Sequence, residues 1–204
     1  MTTTFNYSVA AHLRRFRAST AGVAAIEFAY ILPLLVLMTV GVFEVSRGVL
    51  AHKRFQRATA MVGDLVAREQ QLGTTKATAK TALDGIMRAA EHAMRPYNTT
   101  TLQIGISAIR ASPTDATDTR VEWSYPYRNY PVTACSSPKA MPAAGMITKG
   151  NAAIVVEAQY KYKPFTANLI PGFGTVLTWR DTITHAPRNG TVVYGCAAQC
   201  TGGC

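Results

Sequence analysis

Acidic residues are scarce in this chain, which has 11 Asp and Glu against 21 Lys and Arg in 204 residues and a formal net charge of +10. Residues 1–57 hold seven basic and two acidic residues, which is half of that excess. The remainder is only mildly basic and has no arginine-rich helix and no basic stripe interleaved with aromatic rings. We therefore expect no nucleic-acid binding.

Catalytic signatures are also lacking. The four histidines, His12, His52, His92 and His185, are scattered along the chain, and none lies in a Ser or Cys nucleophile motif. The stretch 172–174 (Gly-Phe-Gly) has neither the P-loop lysine nor the spacing of a dinucleotide-binding loop. A tethered envelope enzyme would need a polar cluster that the sequence does not display. We expect no catalytic residue, no cofactor and no enzymatic activity.

Cysteine is limited to four residues in the distal half of the chain: Cys135, Cys196, Cys200 and Cys204. Their even number favours two disulfides, for which three connectivities are possible. A metal site on the Cys-x3-Cys-x3-Cys tail is a rival interpretation, but it lacks the usual Cys-x2-Cys knuckle and a following histidine. Unpaired thiols are the third alternative. We expect disulfides and no metal.

No charged residue occurs from Ala29 to Phe43, and the apolar run begins at Val23. As a helix, Val23 to Phe43 measures about 32 Å, which matches the hydrocarbon thickness of a bilayer. A secretory signal peptide is the competing interpretation, because arginines precede the run. The run is too long for one, no convincing small-x-small site follows it, and the helical pattern continues beyond it. We predict a single transmembrane helix.

Glu27 lies inside this predicted span. An ionised carboxylate in hydrocarbon is costly unless it is paired, so such a residue indicates function. The nearest candidate partner is a free amino terminus. If the chain were cut after Gly22, Val23 would come first, and Glu27 would lie one helical turn below the ammonium of a neighbouring, axially shifted copy. Pro33 is tolerated in the span and predicts a kink.

The positive-inside rule does not decide the orientation, because both flanks of the span carry three net positive charges. The distal cysteines and the long distal domain favour a cytoplasmic amino terminus and a domain outside the cytoplasm. We predict a basic leader over 1–22, the span over 23–43, a helical stalk and second helix over 44–95, and a β-rich domain over 96–204.

Hydrophobic periodicity predicts the elements after the span. A period of 3.6 extends the first helix to about Gln70 and forms a second helix, capped by Thr74 or Thr75, that closes before Pro96. A period of 2 then predicts strands near 102–108, 121–125, 154–162, 176–184 and 191–194, the last two joined by a hairpin turn at 187–190. Helices followed by strands indicate an α+β domain with an antiparallel sheet.

Two further segments are distinctive. Residues 126–150 are rich in Pro, Ser, Ala and Gly and are predicted to form a long surface loop. Aromatic residues cluster from Trp123 to Tyr130, where they either form a contact surface or complete the core.

The amino-terminal pattern resembles the TadE-like family of pseudopilins. The resemblance runs from Arg17 to Pro33, rests on Gly22 followed by Glu27-Phe28, and fades around Arg57, so that it covers about a fifth of the chain. It implies a minor, pilin-like component of the bacterial tight-adherence, or Flp-type, pilus system. Major pilins of that system usually have Glu-Tyr at this pair, whereas Phe28 follows Glu27 here, as in the TadE-like branch.

The resemblance also implies site residues and partners. Gly22 would precede the bond cut by an aspartic prepilin peptidase, Val23 would be the mature amino terminus, and Glu27 would guide processing and assembly. The implied partners are the peptidase, other pilin-like subunits, the inner-membrane assembly machinery and the lipid bilayer. The implied location is the inner membrane, with the pilus as a further possibility. The alternative is a permanently tethered envelope binding module or adhesin that never enters a fibre.

Overall fold

The computed structural model describes residues 14–15, 22–143, 145–169 and 176–194. Two long helices come first and four strands follow, which confirms the predicted α+β class with an antiparallel sheet. The elements are α1 (Val23–Arg68), α2 (Lys76–Ala93), β1 (Gln103–Ala111), β2 (Thr119–Tyr127), β3 (Ala152–Tyr162), α3 (Thr166–Leu169) and β4 (Leu177–His185).

The chain divides into two compact units, Met1–Ser46 and Arg47–Cys204, and α1 contributes residues to both. In the described part of the first unit, α1 is the helix long and apolar enough to cross a membrane, and none of its most apolar stretch is buried. Such a helix suggests a single-pass membrane anchor.

The second unit is built on a four-stranded sheet with the order β2-β1-β3-β4, in which all neighbours are antiparallel. Ile106 of β1 lies opposite Tyr125 of β2 and Val156 of β3, and a register shift follows Ala108 on the β2 side. Central placement of β1 and β3 explains why both strands are buried almost throughout, while β4 is largely exposed or half-buried.

The core of this unit lies between one face of the sheet and the two helices. The apolar stripe of α1 from Ala51 to Val66 and that of α2 pack on the side chains that alternate along the strands. The ring of Phe55 stacks on Tyr160, with 6.0 Å between the centroids. The apolar faces of the two helices and of the sheet therefore form one hydrophobic layer.

Thr75 begins α2 as its N-cap. Its hydroxyl accepts from the backbone N–H of Thr78, and the Thr78 hydroxyl accepts from the backbone N–H of Thr75 at 2.9 Å. This reciprocal capping box satisfies two backbone donors that have no partner inside the helix. It decides between the two predicted cap positions in favour of Thr75.

The long segment after β2 packs on the opposite face of the sheet. Gly105 of β1 lies under Tyr130 and Val132, so closely that a Cβ there would come within 2.4 Å of the Tyr130 ring. Lys139 Nζ donates to Glu157 Oε2 of β3 at 2.6 Å, and both side chains are mostly buried. The predicted surface loop is therefore a covering layer, held by contacts that its irregular sequence does not reveal.

The predicted hairpin joins strands over 176–184 and 191–194 through a turn at 187–190; its first strand is present as β4, but the predicted pairing of its second strand is wrong. Residues Thr191–Tyr194 do not pair with β4; instead Val193 forms a parallel bridge with Gln71. The N–H of Leu72 donates to the Val193 carbonyl at 3.0 Å, and the Val193 N–H donates to Gln70 at 3.1 Å. The sequence from Pro187 to Gly190 indicates only a local turn. The segment after it pairs with the loop between α1 and α2, which is distant in sequence.

Candidate functional site

The start of α1 is the candidate site. Gly22 lies immediately before the helix, and its carbonyl accepts the first helical hydrogen bond from the N–H of Ile26 at 3.1 Å. Among the described residues, a Cβ at Gly22 would have no neighbour within 4 Å, so none of them covers the bond that joins Gly22 to Val23. Residues 1–13 and 16–21 of the predicted leader lie outside the described residues, whereas Arg14 and Arg15 are helical and exposed.

Glu27 lies four residues after Val23, which corresponds to about 6 Å along the helix axis. Its side chain is exposed on the helix surface. Within the described ranges, Glu27 takes part in no ion pair, and it is the only charged residue between Val23 and Phe43. An ionised carboxylate carried into hydrocarbon is costly unless it is paired.

The surface around Glu27 is apolar. Phe28 is exposed beside it, and Pro33 lies inside α1 without ending the helix. The aliphatic hydroxyls farther along are satisfied internally: Thr39 donates to the Leu35 carbonyl and Ser46 to the Val42 carbonyl, both at 2.8 Å. Such back-bonding removes the need of these two hydroxyls for outside partners, whereas the carboxylate of Glu27 has no such internal bond among the described residues.

The comparisons with known proteins fall on this same helix. Residues 22–64 match the family model described as TadE-like protein. This segment of the chain is TadE-like. The match begins at Gly22 and includes Val23, Glu27, Phe28 and Pro33, so the predicted family resemblance is confirmed. No curated protein and no solved structure matches the chain.

The TadE-like segment covers about a fifth of the chain and ends four residues before the end of α1. The sheet and α2, which make up most of the second unit, lie beyond it. The predicted processing and assembly residues therefore all belong to the first unit, and the second unit needs an account of its own.

In the second unit, Cys135 is disulfide-bonded, and its Sγ lies 3.2 Å from the Glu122 carbonyl oxygen. Cys196, Cys200 and Cys204 lie outside the described residues, so the connectivity stays a prediction. Among the residues that the structure describes, no cluster of three His, Cys, Asp or Glu side chains could hold a metal ion.

The aromatic run from Trp123 is mainly structural. Trp123 and Tyr125 are buried in the core, and Trp123 Nε1 donates to the Val192 carbonyl at 2.7 Å. The Tyr125 hydroxyl donates to Asp84 of α2, and the Tyr127 hydroxyl donates to Glu91 at 2.8 Å. These rings therefore tie β2 to α2, and core packing explains them better than a contact surface.

Electrostatics in this layer follow from those contacts. A hydrogen bond from Lys80, and then one from Tyr125, lower the pKa of Asp84 below its usual value. Burial, followed by the hydrogen bond to Asp84, raises the pKa of Tyr125 above 10.0. Burial raises the pKa of Tyr127 as well, with the hydrogen bond to Glu91 as the next cause. The carboxylate on α2 therefore stays charged while the buried phenol stays protonated.

Two histidines have definite packing roles that sequence reasoning missed. The ring of His52 lies edge-on to Trp179, with 4.9 Å between centroids, and the ring of His185 packs on Gly63 of α1. Only Gly63, a glycine inside an otherwise regular helical pattern, could have signalled the second contact. His92 is exposed on α2, and His12 lies outside the described residues.

Proposed function

We propose that this chain is a minor, pilin-like subunit that enters a bacterial tight-adherence pilus after removal of residues 1–22. The TadE-like match beginning at Gly22 carries the proposal. In this proposal the chain has no catalytic role. Its partners are a prepilin peptidase, other pilin-like subunits and the assembly machinery of the inner membrane.

The geometry at Gly22 supports processing. A peptidase must reach the peptide bond, and no described residue covers Gly22, while α1 begins at the next residue. Cleavage would leave a free, positively charged amino group on Val23 at the start of the helix. Such an ammonium group can form a charge-assisted hydrogen bond with a carboxylate such as that of Glu27.

The apolar surface of the first unit supports assembly. Large side chains from Val23 to Phe43 are exposed, and lipid covers them while the helix spans the bilayer. In a fibre, the equivalent helices of other subunits take the place of lipid. The pair between Glu27 of one copy and the amino group of Val23 in the next copy then fixes the axial offset, because an unpaired carboxylate in that core is costly.

Amino-terminal sequencing of the protein recovered from cells with an active pilus peptidase tests the proposal. We expect the mature chain to begin at Val23. A Gly22→Ala variant, which adds a side chain beside the cut bond without altering α1, should accumulate with its leader attached. Recovery of Met1 in the unmodified protein from sheared fibres would contradict the proposed processing.

A permanently tethered binding module is the second candidate. It is favoured by one observation, that residues from Arg47 onward form a compact unit with their own core, most of which lies outside the TadE-like match. Under this alternative, Glu27 serves helix association in the membrane and the sheet domain binds an envelope partner. Retention of the leader and absence of the protein from sheared fibres would support it.

A further inference from the structure

The exposed apolar side chains of the second unit gather at one end of it. Six large apolar residues are exposed in its described part, and five of them flank a single contact between α1 and β3. We name these five the apolar end patch: Val49, Leu50, Phe165, Val176 and Leu177. The sixth, Met146, lies in the segment that covers the outer face of the sheet.

The contact at the centre of the apolar end patch joins Gly48 and Tyr162. A Cβ on Gly48 would lie 3.9 Å from Cε1 of the Tyr162 ring, so the end of β3 reaches this turn of α1. Val49 and Leu50 follow Gly48 directly. Leu177, the first residue of β4, is the register partner of Tyr162, and Phe165 comes three residues after it. The five side chains therefore come from three segments that meet at one end of the sheet: α1, the chain after β3 and the start of β4.

Cationic side chains surround this end. Lys161 and Lys163 are exposed beside Tyr162, and Lys53 is exposed one turn beyond Val49 on α1. Apolar and aromatic side chains bordered by lysines are typical of protein surfaces at the membrane–water boundary, where the rings enter the headgroup layer and the lysine stems extend to the phosphates.

We propose that the apolar end patch inserts into the headgroup region of the bilayer that holds α1. Val49 comes six residues after Phe43 in the sequence, so the chain holds it within about 22 Å of the end of the predicted span. Val49 and Leu50 are exposed apolar residues of the second unit that follow this span closely in the sequence. The patch is therefore within reach of the bilayer that holds the span, and its lysines complement anionic headgroups.

The consequence is a second membrane contact for the folded domain. A single helix leaves a domain free to rotate about its tether, whereas insertion of the β3–β4 end at the headgroups would fix the sheet against the bilayer. The inference shares the membrane anchor with the proposed function but does not depend on processing or on entry into a fibre.

Fluorescence quenching in vesicles tests this insertion on the full-length chain. Phe165→Trp places an indole in the patch, and Met146→Trp is the matched control, because the two side chains are 50% and 49% exposed. Each protein is reconstituted in phosphatidylethanolamine–phosphatidylglycerol vesicles that contain lipids brominated near the headgroup end of the acyl chains. We expect the emission added at position 165 to shift to the blue and to be mostly quenched. The emission added at position 146 should be quenched by aqueous iodide instead.

Several outcomes decide the matter. Val176→Trp provides a second probe of the patch if the first variant folds poorly, and phosphatidylcholine vesicles show how much the lysines add. Equal lipid quenching at positions 165 and 146 would overturn the inference. A blue shift without lipid quenching, lost when the protein is diluted into excess lipid, would also overturn it and identify a second copy of this chain as the cover. Failure of every variant to float with the vesicles would instead contradict the anchor.

Discussion

His185 of β4 packs directly on Gly63 of α1. A Cβ added to Gly63 would lie 2.3 Å from Cδ2 and 2.8 Å from Nε2 of the imidazole, which is closer than non-bonded atoms approach. The helix and the edge strand can therefore lie this close only because residue 63 has no side chain. Both residues belong to the second unit, and Gly63 is fully enclosed there.

Gly63→Ala should lower the free energy of unfolding of the second unit by up to about 2 kcal/mol. Overpacking typically costs about 1–3 kcal/mol, which exceeds the gain of about 1 kcal/mol from replacing glycine in a helix. Chemical denaturation of the detergent-solubilised chain measures the change.

Gly85→Ala is the matched control for this substitution. Gly85 lies within α2, is exposed, and would place its Cβ in open space, so we expect an increase of about 0.5–1 kcal/mol there. A Gly63→Ala chain as stable as the unmodified protein would show that β4 can move away from α1 without cost.

Glu27→Ala should reduce entry into fibres about 30-fold while leaving membrane insertion intact. A hydrogen-bonded charge pair worth about 2 kcal/mol corresponds to a factor of about 30 in incorporation. Glu44 is the other acidic residue of the first unit and lies just after the uncharged run. Glu44→Gln should leave incorporation within a few-fold of normal. Quantitative blots of sheared fibres against membranes measure both. Equal incorporation of the two variants would remove the role assigned to Glu27.

Lys139→Met should destabilise the second unit by about 2 kcal/mol, because it leaves the mostly buried carboxylate of Glu157 without its cation. Arg120→Met removes one partner of a largely exposed pair with Asp118 and should have a smaller effect. Denaturation midpoints compare the two. If Lys139→Met were the milder change, the covering segment would be held by its apolar contacts alone.

Alkaline pH should destabilise the second unit through its buried tyrosines. Because the folded state raises the pKa of Tyr125, it retains the phenol proton that the unfolded chain releases near pH 10. This stabilisation is complete below the unfolded pKa and is lost as pH rises above it, by up to about 1.4 kcal/mol per pH unit for one such group. The same direction holds for Tyr127, Tyr130, Tyr160 and Tyr194.

Tyr125→Phe should therefore make the alkaline decline in stability less steep, at the cost of some stability at neutral pH where Asp84 loses a donor. Tyr30→Phe, which removes an exposed phenol from the first unit, is the control and should leave the decline unchanged. Urea unfolding at a series of pH values measures the slopes, and identical slopes for all three proteins would refute the assignment.

Local patterns in the sequence predicted most elements correctly. The apolar period of 3.6 after the span ends α1 at Arg68, close to the predicted Gln70, and the alternation at Ile154 to Tyr162 coincides with β3. The start of α1 at Val23 also coincides with the predicted start of the apolar run, because a long apolar run is visible without any tertiary contact.

Contacts between distant segments were not predictable in the same way. Pro187 to Gly190 reads as a hairpin turn, yet Val193 pairs with Gln71, more than a hundred residues earlier. The segment around Tyr130 and Lys139 has no periodicity, so its place over Gly105 and Glu157 follows only from the open side of the sheet. The apolar end patch likewise combines residues whose nearness depends on the pairing of β3 with β4.

The amino-acid sequence by itself determined the apolar helix, the lone acid at Glu27 and the order of helices and strands. Each of these depends on side chains within a few turns or on a fixed repeat. The tertiary structure alone decided the strand order β2-β1-β3-β4, the fit of His185 on Gly63 and the apolar end patch. Those features arise from complementary shape and burial between segments far apart in the chain, which no local pattern encodes.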